Sequence, residues 1–185
     1  MILIVGLGNP GSKYEATRHN FGFAALDLLV GVRRSLGEGG WETKHDSLFI
    51  KLDDIILAKP QVFMNNSGQA VKEILKFYPA AELVVVHDDL DLPLGSIKIQ
   101  KNVSGAGHNG VQSIIDELGT KDFIRIRLGV DNPTTRNGMP GDAYVLGKFT
   151  AEEQPIVAEL LEKAKAAAEM LQTDGLEITQ SKFNG

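Results

Sequence analysis

Met1-Ile2-Leu3-Ile4-Val5-Gly6-Leu7-Gly8-Asn9-Pro10-Gly11 decides the fold class. Ile2 to Val5 is a short continuous apolar run, the pattern of a strand buried on both faces. It runs into a literal Gly-x-Gly-x-x-Gly, Gly6 to Gly11. In a dinucleotide site those glycines open a helix directly, so that its first amides meet a pyrophosphate. Here Ser12 to His19 intervene, with little apolar periodicity, before a helical pattern begins near Asn20. The acidic ribose ligand expected about 20 residues later is missing too. Asp27 falls inside the helical pattern, and Asp53 and Asp54 sit in a turn. The stretch therefore reads as a Gly/Pro-shaped turn that presents Asn9 at the end of the first strand.

Strand and helix patterns alternate outward from it. Phe21 to Leu36 reads as a helix with Phe21, Ala24, Ala25, Leu28, Leu29 and Val32 on one face and Asn20 as its cap. Leu48 to Leu52 and Ile55 to Ala58 flank Asp53-Asp54 as a hairpin. Ser67 to Phe77 is a second helix, capped by Ser67, with Val71, Ile74, Leu75 and Tyr78 on its buried stripe. Leu83 to Val86, Ile97 to Ile99 and Ile124 to Val130 read as strands, with a helix over Asn109 to Leu118. A C-terminal helix is expected from about 151 to 171, with Thr150 and Glu153 at capping-box spacing. Pro155 suits a first turn and argues for a slightly later start. Asn137 to Gly141 reads as a mobile loop. The sum is one α/β domain over residues 1–185: a twisted mixed, largely parallel sheet with helices on both faces.

The chain has 185 residues, with 24 acidic against 19 basic side chains and a formal net charge of -5. Hydrophobic residues at 43% and charged residues at 23% give a core-forming composition and exclude long disorder. A generally basic nucleic-acid-coating protein is excluded, whereas a local basic patch is not. The absence of cysteine removes disulfides, thiolate metal sites and cysteine nucleophiles. Apolar runs fall short of the ~18 residues of a bilayer span, and the first residues carry no basic leader. The expectation is a cytoplasmic protein with no membrane partner.

Ligands of open α/β sheets bind beyond the carboxyl ends of the parallel strands. At those ends the sequence places Asn9, then Met64-Asn65-Asn66-Ser67, then His87-Asp88-Asp89, and the Ser104 to Asn109 loop leads into a helix. His19 and Asp88 suit general-base chemistry, since imidazole takes a proton near neutral pH and a buried carboxylate fixes its tautomer. Asparagines grip esters and stabilise oxyanions without titrating. No Gly-x-Ser-x-Gly elbow is present. His19, His87, Asp88, Asp89, Asp91 and His108 are metal-ligand types, but their spacing matches no His-Glu-x-x-His pattern, so no metal and no cofactor are expected. Asp89 and Asp91 read as a solvated turn.

At these residues the chain resembles the bacterial peptidyl-tRNA hydrolases. The matching segments run in order from Val5 to Gly11, through Tyr14-Glu15-Ala16-Thr17-Arg18-His19-Asn20-Phe21-Gly22, Phe63 to Gly68, His87 to Pro93, Gly107 to Gly110 and Arg125 to Val130, to Val145-Leu146-Gly147-Lys148-Phe149. The resemblance implies hydrolysis of the ester joining a peptide to the 3′ ribose of tRNA, which frees tRNA for reuse in translation. It implies His19 as the base that activates water and Asp88 as its orienting partner. Asn9, Tyr14, Met64, Asn65 and Asn109 would bind substrate. It also implies a metal-free monomer. Val103-Ser104-Gly105-Ala106-Gly107-His108 departs from the family's glycine-richer loop, and Ala106 should stiffen it. Lys98, Lys101, Arg125, Arg127, Arg136, Lys13 and Arg18 are candidate basic residues near the pocket, with Lys101 and Arg127 the expected tRNA phosphate contacts.

Overall fold

Alternation along the first strand sorts its side chains onto two cores. Ile2 and Ile4 join one apolar cluster, Leu3 and Val5 the other. A computed structural model describes residues 1–35, 40–79 and 81–184. Leu36, and the side chain of Val32, lie outside what is described. In chain order the elements are β1 (Ile2–Gly6), α1 (Phe21–Ser35), β2 (Glu42–Lys44), β3 (Ser47–Leu52), β4 (Ile55–Pro60), α2 (Ser67–Phe77), β5 (Glu82–Pro93), β6 (Ile97–Lys101), α3 (Asn109–Leu118), β7 (Ile124–Asp131), α4 (Pro133–Arg136), α5 (Gly141–Val145), α6 (Gln154–Thr173) and α7 (Gly175–Phe183). They build one sheet ordered β2-β3-β4-β1-β5-β7-β6. Its centre, β4-β1-β5-β7, is parallel, and β2, β3 and β6 join antiparallel.

α1 and α6 pack with the first cluster on one face. α2 and α3 cover the other through Val71, Ile74, Val111 and Ile114. Each fully buried aliphatic side chain contributes about 1.5–3 kcal/mol, which outweighs strand or helix propensity. The α6 stripe contains Val157, Leu160, Ala164, Ala168 and Leu171 as expected, with Ala167 added and Leu161 half-buried.

The glycines of the first loop serve packing. A Cβ on Gly22 would lie 2.3 Å from Val86 O and 2.4 Å from Leu7 N, so only glycine lets α1 begin against the ends of β1 and β5. Gly22→Ala is expected to destabilise the fold by about 1–3 kcal/mol or more. A denaturant midpoint equal to the parent's would refute that reading.

Five expectations are corrected. Asn20 does not cap α1; it lies in the 3-10 turn Arg18–Asn20, and its amide exchanges two 2.9 Å bonds with the backbone of Asn9. The strand expected to stop at Val86 continues to Pro93, because β7 pairs with it through Asp89 and, past a bulge, at Pro93. Asp89 is therefore buried inside β5, not in a solvated turn. Ser67 opens α2 without a capping bond, its buried hydroxyl having no partner among the described residues. Finally, α6 starts at Gln154, and only half of the capping box forms, Thr150 N donating to Glu153 Oε2 at 2.8 Å.

β6 is an edge strand, and its outward backbone is occupied. Asn184 Oδ1 accepts from Ile99 N at 2.7 Å, Asn184 Nδ2 donates to Ile99 O at 2.8 Å, and Gln180 Nε2 donates to the same carbonyl at 3.0 Å.

Candidate active site

The turn after β1, the Met64–Asn66 turn after β4, the middle of β5 and the start of α3 meet in a cleft of about 650 Å³. It is bordered by Asn9, Tyr14, His19, Met64, Asn65, Asp88, His108 and Asn109. Every residue expected to act on or bind the peptide end of the substrate is thus brought together.

Asp88 lies at the centre, on β5 and only 2% exposed. His19 Nδ1 stands 3.0 and 3.1 Å from its two oxygens, and His108 Nε2 stands 3.0 Å from Oδ1. A ring nitrogen facing a carboxylate carries a proton, so both imidazoles donate. His108 is further constrained, because its Nδ1 accepts from Gly110 N at 3.1 Å and Val111 N at 3.3 Å as the N-cap of α3. Its proton therefore sits on Nε2. Among the described residues His19 has only its Nδ1 engaged, which leaves the Nε2 lone pair at the cleft.

Burial works against charge on Asp88, but the adjacent His108 and His19, by charge and hydrogen bond, hold its pKa far below the usual carboxylate range. Burial likewise works against a charged His19, yet the Asp88 carboxylate overcomes this and raises its pKa above 6.5. His87 is fully buried, donates from Nδ1 to Asp88 O at 2.7 Å, and is pushed well below 6.5 by burial and by His108.

A ring nitrogen of His19, an Asp88 oxygen and a ring nitrogen of His108 lie within 4.8 Å of one another, a ligand set of metal-site composition. A metal on His108 Nε2 would have to displace the proton that the two amides on Nδ1 force there. Metal-bound histidines normally donate from the other nitrogen, the reverse of this arrangement.

Asn9 is held from three sides. Besides the Asn20 exchange, its Oδ1 accepts from Met64 N at 2.8 Å, which turns its Nδ2 over as the available donor. Asn65 and Asn109 are exposed at the cleft. Tyr14 packs edge-on against Phe63, with centroids 6.4 Å apart, and carries Lys13 over its ring at 4.6 Å. Ala106 has φ 49, a left-handed conformation that disfavours a side chain, within the loop on the cleft's rim.

A family model described as Peptidyl-tRNA hydrolase matches residues 3–185. The chain belongs to the peptidyl-tRNA hydrolase family. It is 43% identical over 187 residues to the peptidyl-tRNA hydrolase of Bdellovibrio bacteriovorus and 42% identical over 193 residues to that of Alkaliphilus metalliredigens, with all of both chains covered in each case. Against the Bacillus cereus peptidyl-tRNA hydrolase it is 45% identical over 172 residues, covering 91% of each. The crystal structure of peptidyl-tRNA hydrolase from Acinetobacter baumannii superposes with a TM-score of 0.85 at 29% identity, covering 100% of this chain and 95% of that one.

The expected basic residues are not gathered around His19. Arg18 and Arg125 are buried. Arg136 borders the cleft but pairs with Asp131 at 2.9 Å, among the cleft carboxylates Asp89, Asp91 and Asp142. Arg127 donates from Nε to Asp89 at 2.5 Å and also bonds Gln100. Lys101 lies outside the cleft, near Glu82 and Asp122 at 3.6 and 3.7 Å. Lys98 pairs with Arg127 across β6 and β7, about 10 Å along the strand from Lys101. Exposed Lys13 remains beside Tyr14 at the rim.

In sequence His108 reads only as a metal-ligand type in the loop before a helix, and its contact with Asp88 beside His19 is not expected. Histidine is not among the usual caps. Its place between a glycine loop and the Asn109-Gly110 helix start was the available signal.

Proposed function

We propose that the chain, as a single domain, hydrolyses the ester between peptide and tRNA with water activated by His19 and Asp88. The observation that carries this is the His19 Nδ1–Asp88 bond, which leaves Nε2 free at a cleft lined by Asn9, Asn65 and Asn109. Water attacks the ester carbonyl while His19 Nε2 takes its proton. Asparagine amides stabilise the oxyanion of the tetrahedral intermediate. Collapse expels the ribose 3′ oxygen, which receives the proton from His19, and a peptide carboxylate and free tRNA leave. Tyr14 and Met64 bound the space for the peptide.

Arg127 and Lys101 are the proposed phosphate contacts, with Lys98 opposite Arg127 on the β6–β7 edge. Among the described residues no helix is long and apolar enough to cross a membrane. A cytoplasmic monomer free of metal remains part of this proposal. Labelled peptidyl-tRNA incubated with excess Mg²⁺, with and without a transition-metal chelator, tests it. Hydrolysis at equal rates is expected; no hydrolysis, or loss on chelation, would overturn the reading.

Lys101→Ala tests the RNA surface without touching the cleft. KM should rise several-fold with kcat unchanged, and the salt dependence of capture should flatten by about one unit of slope. An unchanged KM at moderate salt would remove Lys101 from the interface.

A further inference from the structure

The hydrolytic scheme leaves one buried ion pair unused. Arg18 Nη2 lies 2.7 Å from Glu153 Oε2, with side chains 4% and 3% exposed. Arg18 immediately precedes His19 in the same 3-10 turn. Its Nη1 donates to Lys148 O at 2.8 Å, its backbone N to Gly147 O at 3.0 Å, and Thr17 forms an isolated β-bridge with Lys148. The guanidinium is 4.0 Å from the Tyr144 ring centroid and 5.0 Å from that of Phe149. The turn that carries His19 is therefore fastened to the segment entering α6.

Glu153 extends the connection. Its Oε1 accepts from Asn132 Nδ2 at 3.0 Å and Thr135 Oγ1 at 2.9 Å, and its Oε2 also accepts from Thr150 N. Thr135 Oγ1 meets Tyr144 Oη at 3.0 Å, and that hydroxyl donates to Val130 O at 3.1 Å. Asn132 caps α4. The carboxylate thus joins the His19 turn to the α4–α5 segment, whose Arg136, Asp142, Val145 and Leu146 form one wall of the cleft. Desolvating such a pair costs about as much as its attraction returns, so stability alone does not account for it.

We propose that Arg18 and Glu153 are positioning residues that hold the His19 turn at a fixed setting against the α4–α5 wall, keeping the imidazole on Asp88 while a peptide loads against that wall. The catalytic consequence rests on the hydrolytic reading above; the positioning itself does not.

Removing one partner alone would bury an unpaired charge and threaten folding. The test is therefore the double variant Arg18→Met/Glu153→Gln, which removes both charges and keeps an acceptor for Asn132 and Thr135. Its kcat should fall about 10- to 10²-fold, the scale of a small misplacement of a reacting group, with KM within about twofold of the parent. Without substrate, the His19 imidazole should titrate at lower pH by NMR, since a loosened ring keeps its burial but loses Asp88 for part of the time. Its signal is assigned, among the four histidines of the chain, by its disappearance in His19→Ala. A folded double variant with the parent's kcat and His19 titration, altered only in thermal stability, would overturn the proposal. Should that variant not fold, Arg18→Lys decides on the same readouts, because an ammonium keeps the charge but not the planar fork over Tyr144. Failure of the parent to cleave peptidyl-tRNA would sink the hydrolytic reading and leave the NMR test standing.

Discussion

His19→Ala is expected to lower kcat for peptidyl-tRNA by about 10²-fold or more, with KM little changed. The size follows from the lack of a substitute. His108 uses both ring nitrogens, one on Asp88 and one on the α3 amides. His87 is fully buried beneath it. Among the described cleft residues, only His19 offers an imidazole nitrogen free of a protein partner. Single-turnover assays on purified variant with an unchanged unfolding midpoint would measure the effect. Near-full turnover would mean that another group activates the water.

Asp88→Asn is expected to cost about 10²- to 10⁴-fold in kcat. An amide presents one acceptor and one donor to two imidazoles that both donate. His108 cannot move its proton, because Gly110 N and Val111 N already point at its Nδ1. It claims the amide oxygen. His19 then faces the NH₂ group and must carry its proton on Nε2, the side where a base is needed. A second signature is the pH profile. The parent rate falls as pH drops through the raised pKa of His19, because protonation removes the base. In Asp88→Asn the burial that depresses this pKa remains while the carboxylate that raises it is gone, so the acid limb moves to lower pH. An unmoved limb would show that it belongs to another group.

Stability should depend on pH with the opposite sign for His19. A pKa raised above 6.5 contributes stability that is fully present below that value and lost as pH rises through the folded pKa. Activity grows over the same interval. Asp88, held below 3.8, contributes stability present above that value and lost as pH falls through its folded pKa. The base becomes available only above the raised pKa of His19, a range in which the carboxylate still holds its partners.

The central strands were legible because β1, β4 and β5 are buried on both faces and so read as unbroken apolar runs. α3 and α2 carried clean helical stripes between recognisable boundaries. β2 was not legible, since its three residues are all exposed and carry no apolar alternation. α4, α5 and α7 were missed because they are short and hold few buried side chains. The length of β5 was hidden for another reason: Asp89 and Asp91 look like turn residues until β7 pairs alongside and Arg127 reaches Asp89. Asn9, Met64, His19 and Asp88 come from four separate segments, so their meeting depends on sheet order, which residue spacing does not encode. The resemblance to a family supplied what pattern alone left open. Charge failed locally, because Arg18 and Arg125 look like surface cations in sequence and are buried in the fold.

The amide of Asn184 on the backbone of Ile99 imitates one residue of a neighbouring strand. At that position the open border of the sheet has neither donor nor acceptor left for a foreign chain. The imitation comes from 85 residues away, so during synthesis β6 is made before its cover is. The interval in which two unfinished molecules can zip together ends when α7 docks. Self-association during refolding should therefore respond to changes at Gln180 and Asn184 that leave the cleft and its chemistry untouched.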